Sequence, residues 1–316
     1  MVERVAIVGT GLVGRAWAIA FARAGWEVRL WDPVSDAPRQ AVATISRLLQ
    51  DLAAQELLGG RDLAEVRNLL RPVSELAEAL EDVAWTQESA PERIEVKREL
   101  WAELDAKAPT DAVLASSTSA IVPSRFTEPL AGRARCLVAH PLNPPYLIPA
   151  VELVPAPWTS AGAMDRAAAI IRGIGQMPIV MRREIDGFVM NRLQGALLEE
   201  AFRLVADGVC SAEDVDVGLK EGLALRWSFA GPFETIDLNA PGGVRDYVGR
   251  YQQIYERMFP SMQRRVDWAG PVLEKLERER RERLPEAALD ERQRWRDQRL
   301  MALMRHKRCA AREIGD

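Results

Sequence analysis

Residues 5–32 read VAIVGTGLVGRAWAIAFARAGWEVRLWD, and their order decides the fold. Val5 to Gly9 is a short β-branched run closed by glycine, the pattern of a strand buried in a parallel sheet. Leu12 to Ala24 is alanine-rich and reads as a helix, with Gly25 at its carboxyl end. Glu27 to Pro33 reads as a second strand that proline closes. The three together make a βαβ unit, whose crossover is right-handed in nearly all proteins. Its first turn, Gly9-Thr10-Gly11-Leu12-Val13-Gly14, has the spacing G-x-G-x-x-G, and Asp32 ends the second strand 23 positions after Gly9. Each glycine has a physical task. Gly9 permits the tight turn, Gly11 lets a pyrophosphate approach the backbone, and Gly14 lets the helix lie close on the sheet. The helix start, at Leu12 and Val13, offers N–H groups and a partial positive charge to phosphates. Asp32 is placed to accept hydrogen bonds from ribose hydroxyls, and its charge repels a 2′-phosphate. The motif in this context predicts NAD as cofactor, in preference to NADP.

The alternation continues outward from this unit. Val83 to Ser89, Ala112 to Ser117, Ala134 to His140, Ala150 to Val154 and Met177 to Met181 read as further strands, with helical stretches between most of them. Residues 36–82 read as a helical arm, broken at Gly59-Gly60 and near Pro72. Beyond Arg183 the composition is helical, beginning with one long helix from Phe188 to Gly208. The expected fold is α/β: a Rossmann-type, doubly wound, mostly parallel sheet over residues 1–184, followed by a smaller all-helical domain over 185–316. A length of 316 residues suits two domains and needs no disulfide or metal to stabilise a core.

Composition excludes several classes. With 48% hydrophobic and 28% charged residues, the chain is neither disordered nor fibrous. Its 42 basic and 46 acidic residues leave a formal charge of −4, which argues against a nucleic-acid or anionic-membrane partner. Cys136, Cys210 and Cys309 form no CxxC pair, so a reducing, cytoplasmic compartment is expected. No apolar run approaches the roughly 18 residues that span a bilayer, and the opening residues, with Glu3 and closely spaced glycines, do not read as a signal peptide. Residues 274–283, EKLERERRER, read as a solvated helix face.

Oxidising an alcohol with NAD needs a base for the hydroxyl proton, and histidine titrates in the useful range. The only two histidines are His140 and His306, too few and too far apart in sequence for a metal site, and none is expected. His306 sits in a basic stretch. His140 ends a predicted strand at the carboxyl edge, where doubly wound sheets bind ligands. Glu152 lies twelve residues later on the next strand, among Val151, Leu153 and Val154, so it is a buried carboxylate in need of a partner. Joined to one ring nitrogen, it would fix the tautomer and stabilise the imidazolium. Ser119, in SSTSA, follows a strand and precedes a helix, where a cap is a further reading. Glu92 reads as a first-turn carboxylate of the helix that Pro91 opens.

Several stretches carry a resemblance. GTGLVGRAWAIAFARAGWEVRLWD (9–32) resembles the opening of the 3-hydroxyacyl-CoA dehydrogenase superfamily. HPLNPPYLIPAVELV (140–154), REIDGFVMNRLQ (183–194), GPFETIDLNAPGG (231–243) and RQRWRDQRLMALMRHK (292–307) resemble its lambda-crystallin / L-gulonate 3-dehydrogenase branch. HPxNPxYxxPxVE is also shared with carnitine dehydrogenases. The resemblance implies an NAD-dependent enzyme that oxidises the 3-hydroxyl of a small hydroxy acid, L-gulonate to 3-dehydro-L-gulonate first. An L-carnitine dehydrogenase, a short-chain L-3-hydroxyacyl-CoA dehydrogenase and a non-catalytic crystallin-like NAD binder are the alternatives. It implies that His140 and Glu152 are the catalytic pair, and that Ser119 and Asn191 hold the reacting oxygen. It places Glu92 and Lys97 around the nicotinamide and its ribose. Asn143 would shape the active-site loop. Many relatives have Asn in place of Ser117. A homodimer through the helical domain is also implied. Arg226, in ALRWSF, is a candidate for a substrate carboxylate, or equally a helix-surface arginine. Trp227 and Phe229 would suit a quaternary ammonium, and Arg47, Arg61, Arg67 and Arg71 a CoA tail.

Overall fold

The computed structural model describes residues 2–315. Eight strands form one sheet: β1 (Arg4–Val8), β2 (Glu27–Trp31), β3 (Leu70–Pro72), β4 (Trp85–Glu88), β5 (Val113–Ser116), β6 (Cys136–Pro141), β7 (Ala150–Pro155) and β8 (Met177–Val180). Their spatial order is β3-β2-β1-β4-β5-β6-β7-β8. Every neighbouring pair is parallel except β6 and β7, which run antiparallel. The sheet is therefore doubly wound and mostly parallel, as the alternation of strands and helices predicts. The winding reverses between β1 and β4, which places a ligand crevice at their carboxyl ends.

The helices of this part are α1 (Leu12–Arg23), α2 (Ala37–Ala54), α3 (Leu63–Asn68), α4 (Leu76–Leu80), α5 (Ile94–Lys107), α6 (Ser124–Thr127) and α7 (Ala161–Gly173). Alternate residues of each strand feed opposite faces. Val5 and Ile7 of β1 belong to one apolar cluster with Trp17, Phe21 and Trp85. Ala6 and Val8 belong to another with Trp101, Leu104 and Phe126. That period of two is what a strand covered on both sides requires. Gly14 is needed for this packing, since a Cβ there would stand 1.9 Å from the Gly9 carbonyl oxygen.

The arm over 36–82 departs from the expectation. It is not wholly helical: Leu70–Pro72 forms β3, which pairs in parallel with Val28 to Leu30 of β2. Pro72 ends this edge strand rather than merely breaking a helix, consistent with the tolerance of edges for proline. Three residues are too few for hydrophobic alternation to show in the sequence. The break at Gly59-Gly60 is present, both with positive φ.

The chain divides into two compact units, residues up to Met190 with Asp297–Arg305, and Asn191–Arg296 with the residues after Arg305. The second is built from α8 (Met190–Ala206), α9 (Ala212–Val217), α10 (Ala224–Trp227), α11 (Pro232–Leu238), α12 (Gly243–Met262), α13 (Pro271–Arg283) and α14 (Leu289–Ile314), with a π-helical stretch at Gly218–Leu223. Its own core is small: Val205, Ala212 and Val272, with Phe202, Val215, Val266 and Leu276 partly buried around them. The middle of α14 belongs to the first unit, where Met301 is buried in the Trp17 cluster. Among the described residues no helix is long and apolar enough to cross a membrane. Cys136 is buried in β6, and burial, with the nearby Asp105 charge, pushes its thiol up to about 12. It is a core residue rather than a nucleophile.

Candidate active site

The glycine turn and Asp32 meet at the carboxyl ends of β1 and β2. The Gly9 N–H donates to the Trp31 carbonyl at 2.9 Å. Asp32 Oδ2 accepts from the Thr10 N–H at 2.8 Å and from its hydroxyl at 3.1 Å, and Oδ1 accepts from the Val34 N–H at 3.0 Å. These bonds hold the carboxylate against the turn. Gly11 is the N-cap of α1, with no side-chain cap, so the first-turn N–H groups face outward. A Cβ at Gly11 would meet no protein atom within 4 Å. Protein packing therefore does not require glycine there, whereas the close approach of a pyrophosphate does. Beside Asp32 is a cavity of about 300 Å³, walled by Trp31, Pro33, Ser74, Leu76 and Lys107 among others. These features fit NAD.

A second group of side chains gathers where β6 and β7 pair. In that antiparallel register His140 stands directly opposite Glu152. Their side chains share one face, as cross-strand partners do. His140 Nδ1 lies 2.7 Å from Glu152 Oε2, with the histidine 4% exposed and the glutamate fully buried. A carboxylate only accepts, so Nδ1 carries a proton and, in the neutral ring, Nε2 is the nitrogen with the lone pair. Glu152 Oε1 accepts from the N–H groups of Val189 and Met190, at 2.6 and 2.8 Å. These belong to the residue before α8 and its first residue. Gly187 and Phe188, both at positive φ, make the turn that aims them. The buried Phe188 ring stands 5.5 Å from the imidazole.

A third group lies at the ends of β4 and β5. Glu92 Oε1 accepts from the Thr118 hydroxyl and from the N–H groups of Ser119 and Ala120, both at 3.1 Å. Its Oε2 lies 3.4 Å from Lys97 Nζ. Partial burial pushes the Glu92 carboxyl up, but the Thr118 hydroxyl, the Lys97 charge and the Ala120 N–H outweigh that and hold it below its ordinary 4.5. Two readings fail here. Helix α5 begins only at Ile94, with Arg93 at its N-cap, so Glu92 and Pro91 lie outside its first turn. Ser119 caps no helix, because α6 begins at Ser124 behind Pro123. Glu92 is drawn instead toward Lys97 and the 118–120 turn, where the Ser119 N–H donates to it.

The structure thus brings His140 to Glu152, and Glu92 and Lys97 to the turn carrying Ser119. Asn143 is exposed in the loop after β6. Asn191 is half-buried at the second position of α8, and Arg226 is exposed on α10; both belong to the second unit. No cluster of three or more His, Cys, Asp and Glu able to hold a metal occurs among the described residues. Two buried polar residues had no role in the sequence reading. Glu88 is the main ion-pair partner of Lys97, at 3.0 Å. Gln87 donates to Ser117 Oγ at 2.7 Å and accepts from Trp85 Nε1 at 2.9 Å. The available signal was a carboxylate ending a strand whose neighbours are buried, which demands a partner.

A strand–turn–helix dinucleotide site, with a buried histidine–carboxylate pair on the same sheet, defines an NAD-dependent oxidoreductase acting on CH–OH groups. Residues 4–185 match the NAD binding domain of 3-hydroxyacyl-CoA dehydrogenase, and residues 187–279 match its C-terminal domain. The chain belongs to the 3-hydroxyacyl-CoA dehydrogenase family. It is 40% identical over 310 residues to the lambda-crystallin of Oryctolagus cuniculus, covering 96% of each. It is 41% identical over 254 residues to an L-carnitine dehydrogenase of Streptomyces griseus, covering 79% of this chain and 74% of that one. A similar solved structure is the NAD+-dependent 5-formyl-3-hydroxy-2-methylpyridine 4-carboxylic acid 5-dehydrogenase, with TM-score 0.82 and 26% identity over 96% of this chain and 98% of that one.

The depressed Glu92 carboxyl has a consequence for stability. A carboxylate favoured by the folded state contributes stability above its unfolded pKa, and that contribution is lost as the pH falls through the folded value. Glu92→Gln should therefore lower the thermal midpoint relative to the unsubstituted protein at pH 6–7, with the gap narrowing as the pH falls below about 4.5. A gap that stays constant with pH would show that the ionised carboxylate contributes nothing.

Proposed function

We propose that this enzyme oxidises the 3-hydroxyl of a small hydroxy acid, with L-gulonate to 3-dehydro-L-gulonate as the foremost reaction. The observation that carries the reading is the His140–Glu152 pair, buried and anchored to the start of α8. His140 Nε2 takes the hydroxyl proton while Nδ1–H stays bonded to Glu152, which stabilises the positive charge that forms on the ring. NAD, when bound, would supply the acceptor for the hydride that leaves carbon 3. Ser119 and Asn191 hold the reacting oxygen, and the Asn191 amide stabilises developing charge there. Gly9, Gly11, Leu12, Val13, Gly14 and Asp32 would bind the adenosine and pyrophosphate, and Glu92 the nicotinamide end, with the buried Lys97 serving that end through its ion pair with Glu92. Arg226 pairs with the substrate carboxylate, and Asn143 shapes the loop beside it. Support for gulonate over carnitine comes from extent: similarity to lambda-crystallins runs over 96% of both chains, against 79% and 74% for the carnitine enzyme.

The test is NAD reduction with L-gulonate, L-carnitine, L-3-hydroxybutyrate and L-3-hydroxybutyryl-CoA. L-Gulonate should give the highest kcat/KM, and His140→Ala should lower kcat by about 10²–10⁴-fold with NADH binding retained. Near-normal turnover in His140→Ala would remove the proposed base. Preference for the thioester or carnitine would move the substrate and leave the pair in place. Silence on every substrate, with NAD bound, would favour the crystallin-like reading.

Glu152→Gln offers a sharper check on tautomer control. The glutamine oxygen is claimed by the Val189 and Met190 N–H groups, so its NH2 faces Nδ1 and favours the tautomer with the proton on Nε2. That tautomer has no lone pair for the hydroxyl proton, and kcat should fall about 10²–10⁴-fold while KM for NAD changes little. An unchanged kcat would show that Glu152 serves only the fold.

We also propose a cytoplasmic homodimer through the helical unit. Helix α12 has no buried residue, and Val248, Tyr251, Ile254, Tyr255, Met258 and Phe259 are exposed along it. Such a continuous apolar stripe is costly to leave in water. Trp268, Leu273 and Trp295 are also exposed, whereas Leu276 packs in the small core of this unit. Light scattering should give about twice the 35.2 kDa chain mass, and a monomeric mass would refute the dimer.

A further inference from the structure

Glu88 ends β4 at the place where the sheet reverses its winding. It is fully buried, and Lys97 is 1% exposed. Burying such a pair is expensive, and an apolar pair of similar volume is often as stable or more so. The pair is therefore poorly explained by stability alone, and its connections matter more. Glu88 Oε1 accepts from the Ala90 N–H at 2.6 Å and from Lys97 Nζ at 3.0 Å. Oε2 accepts from Ser116 Oγ at 2.6 Å, from Trp101 Nε1 at 3.1 Å and from Lys97 Nζ at 3.1 Å.

Two routes lead from this carboxylate to one turn. Along the first, Lys97 reaches Glu92, whose Oε1 receives the Thr118 hydroxyl and the N–H groups of Ser119 and Ala120. Along the second, Ser116 Oγ, having donated its proton to Glu88, accepts from the Thr118 N–H at 3.1 Å. The Thr118 hydroxyl also receives the Ile121 N–H at 3.0 Å, which closes the turn. The turn itself is short of apolar anchors, since Ser119 and Ala120 are exposed. Polar bonds to Glu92 and Ser116 therefore do much of what packing does elsewhere.

We propose that Glu88 is a positioning residue for the reaction. It sets the Thr118-Ser119-Ala120 turn through Lys97–Glu92 on one side and Ser116 on the other, and so aims the Ser119 hydroxyl. The proposal rests on the reading above that Ser119 contacts the reacting oxygen. Glu88 touches no reacting atom and acts only through the groups it holds. Glutamine at 88 is nearly isosteric but has a single acceptor oxygen. Turned toward Ala90, its oxygen keeps one Lys97 contact without the negative charge, while its NH2 faces the Ser116 hydroxyl, Trp101 and the second Lys97 contact, so the Ser116 route loses its acceptor and the Lys97 route its ion pair.

The experiment uses the full chain and two readouts. In hydrogen exchange followed by mass spectrometry, Glu88→Gln should speed exchange in residues 117–123 by about tenfold or more, with residues 136–155 unchanged. Ser116→Ala, which cuts one route without altering charge, should raise exchange in the same segment by less. It also decides the matter if Glu88→Gln fails to fold. Unchanged exchange at 117–123 in a folded variant, or a uniform rise across the chain, would overturn the proposal. The kinetic readout is a double-mutant cycle with Ser119→Ala on a substrate whose turnover depends on His140. Glu88→Gln should lower kcat about tenfold or more with KM for NAD within about threefold, and cost less than about threefold once Ser119 is Ala. Independent, multiplying penalties would overturn it. A chain inactive on all substrates would refute the functional reading alone, because the exchange result still decides whether Glu88 sets the turn.

Discussion

The arrangement depends on one carboxylate, Glu152, that serves two masters. One oxygen bonds the His140 ring and the other receives the two N–H groups at the start of α8. A fully buried carboxylate would be prohibitive without such partners. Those partners come from two different parts of the sequence, β6 and the 187–190 turn. The antiparallel pairing of β6 with β7 is the geometric condition for this. It places His140 opposite Glu152 in register, and a one-residue slip would turn one of them to the other face. Among the described residues, the one antiparallel pair in an otherwise parallel sheet is thus the one that builds the histidine site.

The same economy recurs at the ends of β4 and β5. Two carboxylates, Glu88 and Glu92, stand around a single ammonium, Lys97. Glu88 is sealed in the core and Glu92 is partly open to solvent. Charge is carried outward from a rigid strand end to an exposed turn, where apolar packing is sparse. Nearby, Gln87 and Ser117 satisfy each other in the core, with Ser89 Oγ 2.9 Å from Ser117 Oγ. The hydroxyl at 117 is thereby matched by an amide at 87.

The second unit follows a different balance. Its own core is small, and the Arg203 guanidinium is buried by bonding the Arg264 carbonyl at 2.9 and 2.7 Å. Helix α12 keeps its apolar residues on the surface. Intrachain packing therefore accounts for little of the hydrophobic content of this region.

Much of this was legible in the residues alone. Strands of β-branched residues, glycines at G-x-G-x-x-G spacing and an acidic residue at the end of the second strand specify a dinucleotide fold because each follows from local backbone physics. His140 stood out as a base at the carboxyl edge of a strand, and Glu152 as a carboxylate in an apolar strand in need of a partner. Tertiary structure decided the rest. The sequence shows neither that β6 and β7 pair antiparallel, nor that Leu70–Pro72 adds an edge strand, since three residues carry no period. It assigns Glu92 to a helix turn on local grounds, whereas a lysine five residues on and a turn 26 residues away claim it instead. Glu88 shows in sequence only as a carboxylate ending a strand, because most of its donors are brought to it from β5 and α5. Local propensity is written residue by residue, but the satisfaction of a buried charge is a property of the folded neighbourhood.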